Sequence, residues 1–261
     1  MANLFRSAKS GNVWTEHELR AYHIRVEWHD AHDFFQIPTT LPAPVLQNPD
    51  ILEILDPIVN LPYPVFEFLR LMDEVMDPVD GEQSAVVDFA VVLLQELGYT
   101  SVGTKTPRNL RRRKEIPFLI CGETRHTQAD VCVLDYTNSI TSISLVVHAD
   151  KRNCAYGRDP MPELVAMAIA AFHSNNLTRQ RMGLPPLASK VIGTSPIFYK
   201  IPVTQELVSA VMSGSYPATE TIVEVHLPVI PRPNRRSEEG MKPLDNRLAI
   251  LSCYEALKQF L

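Results

Sequence analysis

Cysteine is scarce in this chain, and its placement argues against a disulfide framework or a zinc knuckle. The four cysteines are Cys121, Cys132, Cys154 and Cys253, and none of them belongs to a CxxC pair. Three of them lie in or beside apolar runs, where a free thiol packs as a small hydrophobic side chain. We therefore expect a reducing compartment and a fold that is stabilised by its core.

Long apolar runs are also missing. No stretch approaches the roughly 20 residues that a membrane-spanning helix needs. The segment from Met1 to Trp14 is polar and basic, unlike a secretory signal peptide. Hydrophobic residues make up 45% of the chain, enough for a sizeable core. We expect an intracellular protein, cytoplasmic or nuclear, that has no membrane partner.

The chain has no excess of positive charge and lacks several common catalytic motifs. Its formal net charge is −5, which argues against nonspecific coating of nucleic acid, because such binding needs a net positive field. A nuclease remains compatible, since it needs carboxylates at its site and only a local basic patch. No GxSxG, GxGxxG or P-loop motif occurs, so serine-hydrolase and nucleotide-binding classes have no support.

The hydrophobic patterns that are present predict an α/β fold. Apolar stripes at helical spacing predict helices over Glu82–Leu97 and Met161–Asn176. Apolar runs predict strands at Ile116–Cys121, Gln128–Leu134, Ser142–His148 and Lys190–Thr194. The predicted core, about residues 80–195, therefore runs helix, three strands, helix, strand. We predict a single domain over residues 1–261, in which N- and C-terminal elaborations surround this core.

Shorter elements are predicted on both sides of the core. Thr15 and Glu18 fit a capping box that begins a short helix. Pro64–Met76 and Gln205–Met212 are predicted to be helical, and Asp245 is predicted to cap the last helix of the chain.

Two neighbouring predicted strands carry the polar residues most suited to catalysis. Asp130 lies at one end of the first apolar run, and Lys151 follows the second. If the strands are adjacent, these side chains can meet at one edge of the sheet. A carboxylate there can hold Mg²⁺, which lowers the pKa of a bound water and offsets phosphate charge. A nearby lysine can orient the water or stabilise developing charge.

This arrangement resembles the PD-(D/E)xK phosphodiesterase superfamily, whose restriction-endonuclease-like core has the same order of elements. Three further stretches are similar to a group of uncharacterised fungal proteins of that superfamily: Arg6–Gly11 with Trp14-Thr15, Pro162–Phe172 and Pro243–Arg247. The resemblance covers most of the chain. It implies a Mg²⁺- or Mn²⁺-dependent nuclease in which Asp130 is a metal ligand and Lys151 acts on the attacking water.

The chain departs from the superfamily motif at the acid that precedes the lysine. Ala149 occupies that position. Asp150 is adjacent, but side chains alternate along a strand, so Asp150 serves only if a bulge re-aims it. His148 could ligand a softer metal, although alternation also places it on the wrong face. Two explanations fit Ala149, a naturally degenerate site or an engineered replacement, and in both the metal is expected to be weakly held or lost.

The superfamily often adds an acid from the first core helix. Asp88 is the candidate here because an acid in mid-helix needs a reason, whereas Gln83 has an alternative role beside a helix cap. Glu163 begins the second long helix and could face the site, although a first-turn preference for acids explains it equally well.

Two further polar clusters have weaker claims on function. A basic run before the core strands could contact phosphates or could be a solvated loop; it comprises Arg108, Arg111, Arg112, Arg113 and Lys114. The segment His29–Asp33 has metal-like composition, but no distant third ligand is evident.

Two functions follow from these patterns. The first is a metal-dependent phosphodiesterase of nuclease type, acting on nucleic acid and impaired by Ala149. The second is a non-catalytic module with the same fold that binds nucleic acid or a protein partner. The sequence carries no signal for an oligomeric state.

Overall fold

In the computed structural model, one mixed sheet contains the named strands, and helices pack on both of its faces. The structure describes residues 6–56, 60–77, 84–101, 106–137, 140–148, 159–185 and 197–261, together with the backbone of residues 189–195. The predicted α/β class is confirmed.

The strands are β1 (Ile24–Trp28), β2 (Arg108–Ile120), β3 (Glu123–Thr137), β4 (Ile140–Val147), β5 (Ser189–Ser195), β6 (Ile197–Val203) and β7 (Thr221–His226). The helices are α1 (Glu16–Ala21), α2 (Ala31–Phe35), α3 (Tyr63–Met76), α4 (Ser84–Glu96), α5 (Met161–Arg181), α6 (Gln205–Ser213), α7 (Arg236–Glu239) and α8 (Leu244–Leu257). Short 3₁₀ turns occupy Gly11–Val13, Pro49–Leu52, Pro233–Arg235 and Lys258–Phe260.

The seven strands lie in the order β1-β7-β6-β5-β4-β3-β2. Strands β2, β3 and β4 form an antiparallel meander, so the prediction that β3 and β4 are antiparallel neighbours is confirmed. Strand β5 then pairs in parallel with β4, after the long helix α5. Strands β6, β7 and β1 extend this sheet, so the flanking segments contribute strands to the sheet of the predicted core.

Each face of the sheet has its own hydrophobic core. On the α5 face, the buried side of α5 packs with α1, α6 and strand residues such as Phe118 and Val146. On the α4 face, helices α3, α4 and α8 pack over strand residues such as Val133 and Leu145. Helix α5 is apolar along most of its length because it is buried against several strands and the N-terminal segment.

The start of α1 follows the sequence signal. The Thr15 side chain accepts a hydrogen bond from the backbone of His17, and Glu18 accepts one from the backbone of Thr15, so the predicted capping box is confirmed. Burial acts to raise the pKa of Glu18, but hydrogen bonds from Lys9 and Thr15 outweigh it and lower that pKa. Lys9 thereby joins the N-terminal segment to α1.

Two predictions about charged residues are wrong. Strand β2 begins at Arg108 rather than Ile116, so the basic run lies in the strand and not in a loop before it. Pairing with β3 on both sides of Arg113 supplies the hydrogen bonds that hold most of these charged residues extended. Asp245 does not cap α8, whose N-cap position is Pro243; its carboxylate instead accepts two hydrogen bonds from Arg232, at 2.5 and 2.8 Å.

Among the described helices, none combines the length and the apolar character that crossing a bilayer requires.

His226 makes the stability of the fold sensitive to acid. Its ring is buried against Phe34 and Phe35, and its Nδ1 lies 3.1 Å from the carbonyl oxygen of His29. Burial lowers the pKa of His226 below the ordinary value of 6.5, although the hydrogen bond to His29 opposes this. The unfolded chain therefore takes up a proton before the folded chain does, and stability falls as the pH drops below about 6.5.

We expect the free energy of unfolding to decrease between pH 7 and pH 5, and the variant His226→Asn to flatten this dependence by up to about 1 kcal/mol per pH unit. Asparagine can still donate a hydrogen bond to the His29 carbonyl but does not titrate. Urea unfolding at several pH values measures the effect. An unchanged slope in the variant would show that His226 is not the responsible group, and would leave His173, whose pKa burial also lowers.

Candidate functional site

The sequence placed Asp130 at the end of an apolar run. In the structure it lies in the middle of a strand. It is the eighth residue of the 15-residue strand β3. Ala129 packs in the core of the α5 face and Val131 in that of the α4 face, although residues two apart on a regular strand share a face. The alternation of side chains therefore breaks at Asp130. On the neighbouring strand, Arg113 has a left-handed backbone (φ 48°) at the same level.

His148 lies opposite Asp130, directly after strand β4. The antiparallel register pairs Val131 with Val147 and Cys132 with Val146, so Asp130 and His148 form the next pair. The Nδ1 of His148 is 3.1 Å from the Oδ2 of Asp130. The prediction that alternation directs His148 away from the site is therefore wrong. It assumed regular alternation, whereas the alternation of β3 breaks at Asp130 itself.

Glu163 approaches His148 from helix α5, which packs on one face of the sheet. It lies in the first turn of α5, where a carboxylate is favoured by the positive end of the helix dipole. Its Oε2 is 3.9 Å from the Nε2 of His148. The side chains of Asp130, His148 and Glu163 are only 16%, 15% and 22% exposed. The imidazole is thus half-buried between two carboxylates, each of which faces a different ring nitrogen.

The contact between Asp130 and His148 is close but does not have hydrogen-bond geometry. Within the described part of the chain, the buried Nδ1 of His148 has no hydrogen-bond partner, although Oδ2 is only 3.1 Å away. A separation of this size is also compatible with two atoms that bind one cation. A carboxylate oxygen and an imidazole nitrogen are both common metal ligands. The pair therefore fits a divalent metal.

The other acid proposed from the sequence has a different partner. The Oδ1 of Asp88 lies 3.4 Å from a guanidinium nitrogen of Arg112. Asp88 belongs to α4, which packs on the sheet face opposite α5. The structure therefore brings Asp130 together with Glu163 and His148, whereas it places Asp88 beside the basic strand. The role of Asp88 as a metal ligand stays a prediction.

The basic run forms part of the sheet edge next to the site. Strand β2 is the outermost of the named strands and pairs with β3, which carries Asp130; at its start Arg108 also bridges to Ser101. Arg111, Arg112 and Arg113 are exposed, and Lys114 is half-buried opposite Ala129. Arg108 is different, because its Nε donates to Asp135 at 2.9 Å. Three exposed cations thus lie one strand away from Asp130.

Four predicted site residues lie outside the described residues. They are Gln83, Ala149, Asp150 and Lys151. The superfamily acid position and its lysine thus stay predictions.

A second group of potential metal ligands lies on the surface. Ligand atoms of Asp30, His32 and Asp33 all lie within 4.8 Å of one another, and all three residues are exposed. Local structure accounts for them: Asp30 caps α2 by accepting from the backbone of Asp33, and His32 lies 3.1 Å from the Asp33 carboxylate. Exposed acidic groups of this kind are common without a metal, so this group is a weaker candidate than the half-buried pair.

Comparison with known proteins leaves the superfamily resemblance as a prediction. No protein-family model matches the chain, and no curated protein shows a significant match to it.

Proposed function

We propose that this chain is a metal-dependent phosphodiesterase of nuclease type, built on a restriction-endonuclease-like core and impaired by Ala149. The convergence of Asp130, His148 and Glu163 beside a basic edge strand carries the proposal. The order of elements from α4 to β5 supports it, since an antiparallel meander followed by a helix and a parallel strand is what the resemblance leads one to expect.

Different residues would bind the metal and the nucleic acid. Asp130 and His148 would hold the cation, and a cation held there activates water and offsets charge on the phosphate. Arg111 and Arg113 would bind phosphates along β2, because exposed cations on an extended strand follow a backbone of regularly spaced charges. Lys151 would stabilise developing charge, as the superfamily resemblance implies. Ala149 leaves the metal one carboxylate short.

Restoring the motif acid tests the proposal directly. We expect the variant Ala149→Glu to cleave labelled DNA or RNA oligonucleotides in the presence of Mg²⁺ or Mn²⁺, on the order of tenfold or more faster than the parent chain. Adding Asp130→Asn to this variant should abolish the gain, because it removes the charge of the ligand from β3. Cleavage that survives Asp130→Asn would come from a contaminant or another site, and no cleavage by any version would contradict the proposal.

The second candidate function is a non-catalytic module that binds nucleic acid. The missing acid at position 149 favours it, and so does the exposed basic edge of the sheet. A module of this kind needs only Arg111 and Arg113 and no metal. It therefore predicts oligonucleotide binding that is unaffected by chelators.

Both candidates predict that the edge strand binds phosphate. We expect the double variant Arg111→Gln/Arg113→Gln to weaken oligonucleotide binding about tenfold at low salt, and to lower the slope of log K against log salt by about 1.4 for a single strand. The double variant Arg20→Gln/Arg235→Gln is the matched control, because it removes the same net charge from exposed arginines elsewhere. Fluorescence anisotropy measures both. Equal losses in the two variants would indicate a general charge effect and argue against a site on β2.

A further inference from the structure

The candidate site contains an imidazole nitrogen, that of His148, which a magnesium site does not need. The Nδ1 of His148 is buried and lies 3.1 Å from the Oδ2 of Asp130 without hydrogen-bond geometry. Metal–ligand bonds are about 2.0–2.2 Å long, so two ligands at 90–110° around one ion lie roughly 3.0–3.5 Å apart. The observed separation falls in this range. The two atoms are therefore already placed as a pair of ligands to one cation.

Glu163 faces the other ring nitrogen of His148. Its carboxylate lies 3.9 Å from Nε2, on the side of the ring away from Asp130. A cation bound at Nδ1 leaves the ring proton on Nε2, and a carboxylate on that side accepts it, as carboxylates commonly do behind metal-bound histidines. Glu163 thus acts as a positioning residue for the imidazole.

The donor set determines the metal. Mg²⁺ prefers oxygen ligands and gives up its waters reluctantly, whereas imidazole nitrogen suits first-row transition metals. For a mixed nitrogen and oxygen site, affinity rises from Mn²⁺ to Co²⁺ and remains high for Zn²⁺. We propose that Asp130 and His148, oriented by Glu163, form a site that selects a first-row transition-metal dication, Zn²⁺ or Co²⁺, over Mg²⁺. The inference deepens the proposed function and rests on it, because it assigns the metal of the same site.

Calorimetric titration of the full chain with ZnCl₂, CoCl₂ and MgCl₂ tests this selectivity. The titration is made on a His32→Asn background, which removes the only histidine of the exposed Asp30, His32 and Asp33 group. We expect Zn²⁺ and Co²⁺ to bind at least about 100-fold more tightly than Mg²⁺. The visible absorption of bound Co²⁺ gives an independent readout of nitrogen ligation.

Variants in the site identify the ligands. His148→Gln and His148→Asn should each weaken Zn²⁺ binding about 100-fold and alter the Co²⁺ spectrum, and two versions guard against one that fails to fold. His148→Asp should shift the preference towards Mg²⁺, since it supplies a second carboxylate. Glu163→Gln should weaken Zn²⁺ binding about 10- to 100-fold with little change in the Co²⁺ spectrum, as expected of a residue that orients a ligand. Circular dichroism verifies that each variant is folded.

The outcomes separate this inference from the proposed function. Tight Zn²⁺ binding that depends on His148, together with an Ala149→Glu chain that cleaves nothing, would establish the metal site and overturn the nuclease. Cleavage with Mg²⁺ by the Ala149→Glu chain, together with Zn²⁺ binding that is indifferent to His148, would support the nuclease and overturn the metal assignment. Loss of all transition-metal binding on the His32→Asn background would overturn it too, because the binding would belong to the surface group.

Discussion

Replacing Arg247 by leucine is expected to lower the free energy of unfolding by about 3–5 kcal/mol. Its guanidinium is fully buried and donates to four backbone carbonyls. Nε bonds Met241, one terminal nitrogen bonds both Ile51 and Ile54, and the other bonds Lys242, at distances from 2.6 to 3.1 Å. Leucine leaves these acceptors without their donor. Urea unfolding followed by circular dichroism measures the loss.

The expected loss of stability is large because one side chain donates hydrogen bonds to four carbonyl groups. Burial lowers the pKa of Arg247 to about 10, while Asp73 and Asp56 act in the opposite direction, so the group stays charged at neutral pH. A charged donor strengthens each hydrogen bond to a carbonyl. The side chain thereby joins the Pro49–Leu52 turn to the segment before α8.

Two variants control for the chemistry. Arg247→Lys keeps the charge but lacks the planar fork that reaches both segments, so we expect about half of the loss. Arg235→Leu makes the same substitution at an exposed arginine, whose side chain is 61% exposed, and we expect less than about 1 kcal/mol. A loss below about 1 kcal/mol for Arg247→Leu would show that water reaches the four carbonyls and that Arg247 does not hold these segments together.

Local signals in the sequence predicted the longer helices well, because the residues that determine them are close in the chain. The Thr15–Glu18 capping box and the apolar stripe of α5 belong to this kind. The N-terminal half of β2 was missed for the opposite reason. It is the outermost strand of the sheet and is largely exposed there, so it needs no apolar alternation, and only pairing with β3 makes it extended.

In the candidate site, too, features set by neighbouring residues could be predicted, and those set by strand pairing could not. Asp130 and Glu163 stand out locally, as an acid in an apolar run and an acid at a helix start. His148 was assigned to the wrong face because the sequence does not reveal where strand alternation breaks. That break lies beside the left-handed backbone of Arg113 on the neighbouring strand, and an arginine gives no sequence signal of such a conformation. A histidine opposite an acid becomes visible only once the register is known.

Gly11 offers the second large effect, and it connects the N-terminal segment to the candidate site. A Cβ at Gly11 would lie 2.5 Å from the Oγ1 and 2.6 Å from the Cβ of Thr127, and 3.1 Å from the Cβ of Ala166. Thr127 is buried on β3, and Ala166 is buried on α5. We therefore expect Gly11→Ala to lower the free energy of unfolding by about 3 kcal/mol, since the atoms it meets cannot move aside. Urea unfolding measures this loss.

The same contact predicts a functional consequence. Thr127 is three residues from Asp130 and Ala166 is three residues from Glu163, so a side chain at position 11 pushes apart the two elements that form the site. Gly11→Ala should weaken Zn²⁺ binding even where the protein remains folded. Gly183→Ala is the matched control: nothing lies within 4 Å of its added Cβ, so only its left-handed backbone (φ 69°) should cost about 1 kcal/mol, and metal affinity should not change. Equal effects of the two substitutions on stability and on metal binding would show that the close approach at Gly11 does not control the spacing of β3 and α5.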